Sequence, residues 1–274
     1  DNPTVGTRSC GPDAERIGTL ASAMVRGLQV AGVAACAKHF PGLGDTAVDT
    51  HLALAQIDQS VEHLLAYDLV PYQHVIAEGI ASVMTTHTLF TELDSDYPAT
   101  LSPVIISRLL RAELGFQGVV CSDCMEMKAI ADHYGSGESA VLGALAGLDA
   151  ILISHTRSRQ EEAMSALYEA ATSGRLPLST IEAANERIAI MKERFAIRGK
   201  LQPEAVNTPE HQQIAVIERR RARPHQDLAG SWFRVGALGP PQAVEPKGLN
   251  LVAAHQWVVS FEIVGSGAGI VVPP

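Results

Sequence analysis

Four short apolar runs constrain this chain more than any other feature: VAGVAACA (30–37), IASVMTT (80–86), GVVCS (118–122) and DAILIS (149–154). None alternates apolar with polar residues, as a strand with one wet face would, so each reads as a strand covered on both sides. Around them, apolar residues recur every three or four positions over about 13–29, 60–78, 102–114, 137–147, 158–174 and 179–197, the spacing of amphipathic helices. Ser102-Pro103 opens one of these with a cap and a first-turn proline, and Gly115 stops it. Ser179, with Glu182 three residues on, reads as a capping box for the last. Strands alternating with helices make a parallel α/β fold.

The residues that follow the strands carry the chemistry. Lys38-His39 follows the first run, His87 the second, Ser122-Asp123 the third and Ser154-His155 the fourth. In parallel α/β folds, and in barrels above all, the carboxyl ends of the strands are where active sites lie. Four strands in succession ending in titratable groups therefore predict one functional rim.

Composition narrows the partners. The chain has 274 residues, 46% of them hydrophobic, enough for a substantial core. A net charge of −9, with Arg and Lys scattered apart from the run Glu218–Arg221, argues against nucleic acid or an anionic membrane surface as the main partner. No apolar stretch approaches the roughly 20 residues of a membrane span. Four cysteines in a chain of this size do not form a disulfide framework, and a reducing compartment, the cytoplasm, is expected. Cys121 and Cys124 form one C-x-x-C, but no second pair accompanies it to complete a structural zinc site. Buried or half-buried thiols are the expectation there, and no metal site is expected.

The stretch AKHFPGLGDTAVDTHLALA (37–55) concentrates titratable groups on one loop. A carboxylate beside an imidazole, as in Asp49-x-His51, holds the ring's tautomer and tunes it as a proton shuttle near neutral pH. Asp123, at a strand end among apolar neighbours, has the setting of a nucleophile or general base. Spacing alone leaves a second reading open for each: a loop hydrogen-bond pair for Asp49 and His51, and a helix cap for Asp123. Metal ligation by the histidines lacks an H-x-H or H-E-x-x-H pattern to support it.

Longer motifs carry a resemblance. KHFPGLGDTAVDTHLAL, GTRSCG (6–11), ATLSP (99–103), LLRAELGFQGVVCSD (109–123) and MEMKAIA (125–131) resemble the family 3 glycoside hydrolases, and within them the bacterial β-N-acetylglucosaminidases of the NagZ type. The resemblance covers about residues 1–199 and implies a retaining exo-glycosidase on a TIM-type (β/α)8 barrel. It implies that Asp123 is the catalytic nucleophile, His51 the general acid/base and Asp49 its dyad partner. Lys38, His39 and Arg8 match residues that contact the terminal sugar. The implied substrate is a carbohydrate carrying terminal β-N-acetylglucosamine, from cell-wall muropeptides or chitooligosaccharides, and no cofactor is implied.

The sequence departs from the family pattern in three ways. Leu43 stands where many members have histidine, and Cys124 replaces the second aspartate of the common Ser-Asp-Asp triplet. The chain also begins near the end of what the family has as its third strand. The expected fold is thus a partial barrel over 1–199 lacking its first strands, with two open sheet edges, followed by a poorly specified tail over 200–274. Two other functions remain as expectations: a family 3 glycosidase or glycosyl phosphorylase of other sugar preference, and an inactive truncated barrel that at most binds sugar.

Overall fold

The computed structural model describes residues 11–43, 46 and 54–195, together with the strand backbone of 216–219, 233–235, 259–262 and 269–270. Its centre is a parallel sheet of β1 (Ala35–Phe40), β3 (Ser82–Thr85), β5 (Val119–Cys124) and β6 (Ala150–Leu152), side by side in chain order. A small parallel pair, β2 (Gln56–Ile57) with β4 (Leu89–Phe90), braces the segments that leave β1 and β3.

The crossovers are helical. Helix α1 (Ala14–Val30) starts at Asp13, whose side chain accepts a hydrogen bond from the Arg16 N–H, and buries Ile17, Ala21 and Val25 at four-residue spacing. The link from β1 to β3 runs through α2 (Val61–His63), a π turn (Leu64–Asp68) and α3 (Val70–Ala77), which packs on α1. The link from β3 to β5 is a 3-10 turn (Ala99–Leu101) and the segment Val104–Glu113, wound as a π-helix. Ser102 caps that segment, its hydroxyl accepting from the Ile105 N–H at 3.1 Å, and Gly115 ends it at φ +73°. Helices α4 (Lys128–Tyr134) and α5 (Ser136–Ala146) join β5 to β6, and α6 (Arg157–Thr172) and α7 (Leu178–Arg194) follow.

The strands and helices share one core. Ala35, Ala37, Val83, Val120 and Ile151 of the sheet meet Val75, Ile105, Leu110, Val141 and Leu167 of the helices. Double-sided cover is what the unalternating runs required. The opposite ends of β5 and β6 are tied by charge. Asp149, almost wholly buried, accepts from Arg111 at 2.6 Å, from Arg187 at 2.8 Å and from the Val120 N–H at 2.8 Å.

Three expectations need correction. The first strand lies at Ala35–Phe40 rather than 30–37, because α1 carries its apolar spacing through Val30 before the chain turns. Ser179 does not cap α7: the helix begins one residue earlier, with Pro177 at the cap position and no side-chain cap. The edges of the four-strand sheet are not open. The strand β9 (Val259–Glu262) pairs in parallel with β1, and β7 (Val216–Arg219) pairs in parallel with β6. The outermost strands β8 (Phe233–Val235) and β10 (Gly269–Ile270) pair antiparallel to β7 and β9. Such long-range pairings leave no local signature, since the partner lies far along the chain. Sequence reading also missed α4, whose seven residues are too short for a period.

Candidate active site

The carboxyl ends of β1, β3 and β5 converge as the strand-end pattern predicted. His39 Nε2, from β1, stands 3.1 Å from Asp123 Oδ2 of β5. The residue between them in the sheet is His87, just past β3, buried with its Nε2 3.0 Å from the Cys124 carbonyl and its Nδ1 2.9 Å from the Thr100 hydroxyl. A carbonyl oxygen only accepts, so Nε2 carries the hydrogen and the tautomer is fixed from the β5 side. Lys38 sits half-buried beside His39, with a cis peptide bond between them.

Each sequence motif has a structural reason for its residues. The threonine of ATLSP, Thr100, lies within hydrogen-bond distance of His87, Thr85 and the Thr86 carbonyl, so it anchors the floor under the rim. The serine of the same motif, Ser102, donates to Asp94 at 2.6 Å besides capping its helix. Ser122 is buried and its hydroxyl accepts from the Leu152 N–H at 2.9 Å, bridging β5 to β6 where their register shifts. Glu126 accepts from the backbone N–H groups of His155 and Thr156, holding the loop after β6.

Electrostatics single out Asp123. Burial by itself would push its carboxyl up, but the hydrogen bond and charge of His39, the charge of His87 and the Cys124 N–H outweigh that. The group is held well below the ordinary carboxylate range and is ionised near neutral pH. Its Oδ1 accepts from the Cys124 N–H at 2.7 Å, and no described helix takes it as a cap, which removes the helix-cap alternative. A desolvated, oriented carboxylate on an active-site rim can attack carbon or accept a proton.

The remaining predicted site residues, Asp49, His51 and Arg8, lie outside the described residues. Gly42 abuts the π turn of the β1–β3 link: a Cβ there would lie 3.0 Å from Asp68 Oδ1. Sequence reading singled out His87 by its place after a strand but gave it no role at the site. Its link to the Cys124 carbonyl depends on β3 and β5 being neighbours, which no local signal reveals.

Residues 1–191 match the Glycosyl hydrolase family 3 N terminal domain. The chain belongs to glycosyl hydrolase family 3. Among curated family members, a beta-hexosaminidase of Neisseria meningitidis serogroup C is 36% identical over 151 residues, which are 55% of this chain and 42% of that protein. The chain thus spans less than half the length of that relative. Among solved structures, the family 3 beta-N-acetylglucosaminidase of Paenibacillus sp. str. FPU-7 superimposes with a TM-score of 0.71 at 46% identity, covering 72% of this chain and 38% of the other. A beta-glucoside phosphorylase bound to 2FGlc superimposes with a TM-score of 0.63 at 26% identity, over 68% of this chain and 34% of the other. Family 3 neighbours of this kind are TIM-like (β/α) barrels, and the arc from β1 to β6 has their parallel α/β character.

Proposed function

We propose that this chain carries the nucleophile side of a retaining β-N-acetylglucosaminidase. The observation that carries the reading is Asp123, ionised and oriented by His39 on the carboxyl rim of a family 3 sheet. In the first step an Asp123 carboxylate oxygen attacks the anomeric carbon while the glycosidic bond breaks. The leaving oxygen takes the proton of His51, which Asp49 orients. In the second step neutral His51 removes a proton from water, the water oxygen bonds to the anomeric carbon, and the Asp123 ester bond breaks. This differs from the usual two-carboxylate scheme only in that an imidazole shuttles the proton. Lys38, His39 and Arg8 hold the hydroxyls of the terminal sugar.

The substrates on this reading are cell-wall muropeptides or chitooligosaccharides with a non-reducing β-N-acetylglucosamine. The described thiols Cys36, Cys121 and Cys124 are unpaired, which fits work in a reducing compartment, the cytoplasm. No described helix is long and apolar enough to cross a membrane.

The test is rapid-quench mass spectrometry with an aryl N-acetylglucosaminide bearing a good leaving group. The expected result is a mass increment of one N-acetylhexosaminyl unit on the peptide containing Asp123, absent in Asp123→Ala. Turnover without any such adduct, or an adduct that persists in Asp123→Ala, would overturn the assignment. Adding inorganic phosphate separates the phosphorylase alternative: a glycosidase releases free sugar, whereas a phosphorylase releases the sugar 1-phosphate.

A further inference from the structure

The most informative cluster outside the proposed chemistry lies next to it. Cys124 ends β5, Glu126 sits in the turn that follows, and His155 sits in the loop after β6. One potential ligand atom from each, a sulfur, a carboxylate oxygen and a ring nitrogen, lie within 4.8 Å of one another. Cys124 Sγ is 3.8 Å from Glu126 Oε2. Two ligands bound about 2.0–2.3 Å from one tetrahedral zinc lie roughly 3.3–3.8 Å apart, so little movement is required to place an ion between them. We propose that Cys124, Glu126 and His155 form a binding site for a thiophilic divalent cation of the zinc class.

Three properties of the cluster support this. The donor set is mixed: a thiolate and an imidazole select zinc-like ions over magnesium or calcium, which prefer oxygen ligands alone. The cluster is preorganised, because Glu126 already ties the two loops together through the backbone N–H groups of His155 and Thr156. The Cys124 S–H also points at Glu126 Oε2, and a metal bound between the two would replace that proton. His155 is exposed and Cys124 and Glu126 are half-buried, so an ion reaches the site without opening the core. Three protein ligands leave a fourth position open to water, the arrangement of an accessible site rather than a closed structural one.

The proposal is independent of the glycosidase reading, and its test needs no substrate. The full 274-residue chain is titrated with Cd²⁺ while the near-ultraviolet thiolate-to-metal charge-transfer band is followed. The expected result is a band saturating at one ion per chain. It should be lost in Cys124→Ser, and His155→Ala should weaken the affinity at least about 10-fold, since even outer-sphere changes at metal sites cost 10-fold or more. Unchanged thermal melting of His155→Ala, whose side chain is exposed, shows that the loss is local. A band that survives Cys124→Ser places the ion on another thiol, and an unchanged affinity in His155→Ala reduces the site to a single sulfur. Either result, or the lack of a saturable band in the parent chain, overturns the proposal.

Discussion

His39 Nε2 stands 3.1 Å from Asp123 Oδ2 although a whole strand, β3, separates their strands in the sheet. The two side chains meet over the carboxyl end of β3, and His87 fills the space between that end and the Cys124 carbonyl. One carboxylate is therefore held by one histidine, while the backbone beside it is held by another.

Replacing His39 tests the first of these contacts. Asp123 must be ionised to act as a nucleophile, and its depressed pKa keeps it so well into acid. His39→Ala removes the main opposing influence to burial, so the Asp123 pKa should rise. The acid limb of kcat/KM moves up in pH accordingly. The link to stability has the same sign: a depressed carboxylate stabilises the fold above its unfolded pKa, and that contribution is lost as pH falls through the folded value. A pH–rate profile compared between parent and variant decides this, and an unmoved acid limb would contradict it.

His87 is a positioning residue, and His87→Phe keeps its bulk while deserting both hydrogen-bond partners. The stranded Cys124 carbonyl should cost about 1–3 kcal/mol of stability. Relaxation of the β5 end should lower kcat by about 10–100-fold with a much smaller change in KM, because a small misplacement of a reacting group is expensive in rate. Steady-state kinetics with thermal unfolding check both, and an equal loss in kcat and 1/KM would mean that His87 acts on sugar binding instead.

Asp149 anchors the opposite rim. Asp149→Asn leaves the guanidiniums of Arg111 and Arg187 without their shared carboxylate. Removing one partner of a buried ion network costs about 3–5 kcal/mol. Chemical denaturation should show that loss, while activity per folded molecule stays near the parent's, since the site is at the other end of the strands.

Gly42→Ala brings a methyl to 3.0 Å from Asp68 Oδ1. Overpacking of this kind costs about 1–3 kcal/mol. If that contact is the cause, Gly42→Ala combined with Asp68→Ala is less destabilised than the sum of the single changes. Strict additivity in a double-mutant cycle would assign the cost elsewhere.

Lys192, on α7, is held down to about 8 by burial. A lysine depressed in the fold opposes stability fully below its folded pKa, and the penalty fades as pH rises from about 8 to its unfolded value near 10.4. Lys192→Met should therefore raise Tm at pH 7, with the difference from the parent shrinking above pH 8. Melting curves across that range test the sign.

The sequence by itself determined the parallel α/β class, because four short runs without alternation, set between helix-spaced segments, read as strands covered on both faces. It also determined that Lys38-His39, His87 and Asp123 share one end of the sheet, since each follows such a run. Motifs carried the family, and those are contiguous in the chain. What only the tertiary structure decided are relations between distant segments. The bond from His39 to Asp123 and the seat of His87 against the Cys124 carbonyl depend on strand order. The convergence of Cys124 and Glu126 with His155 depends on β5 lying beside β6, so a search of the sequence for paired metal-ligand motifs passes over it. The pairing of β9 with β1 and of β7 with β6 is of the same kind. Local periodicity reports which face of an element is buried, whereas contact between elements is set by packing of the whole chain, and no window of residues contains it.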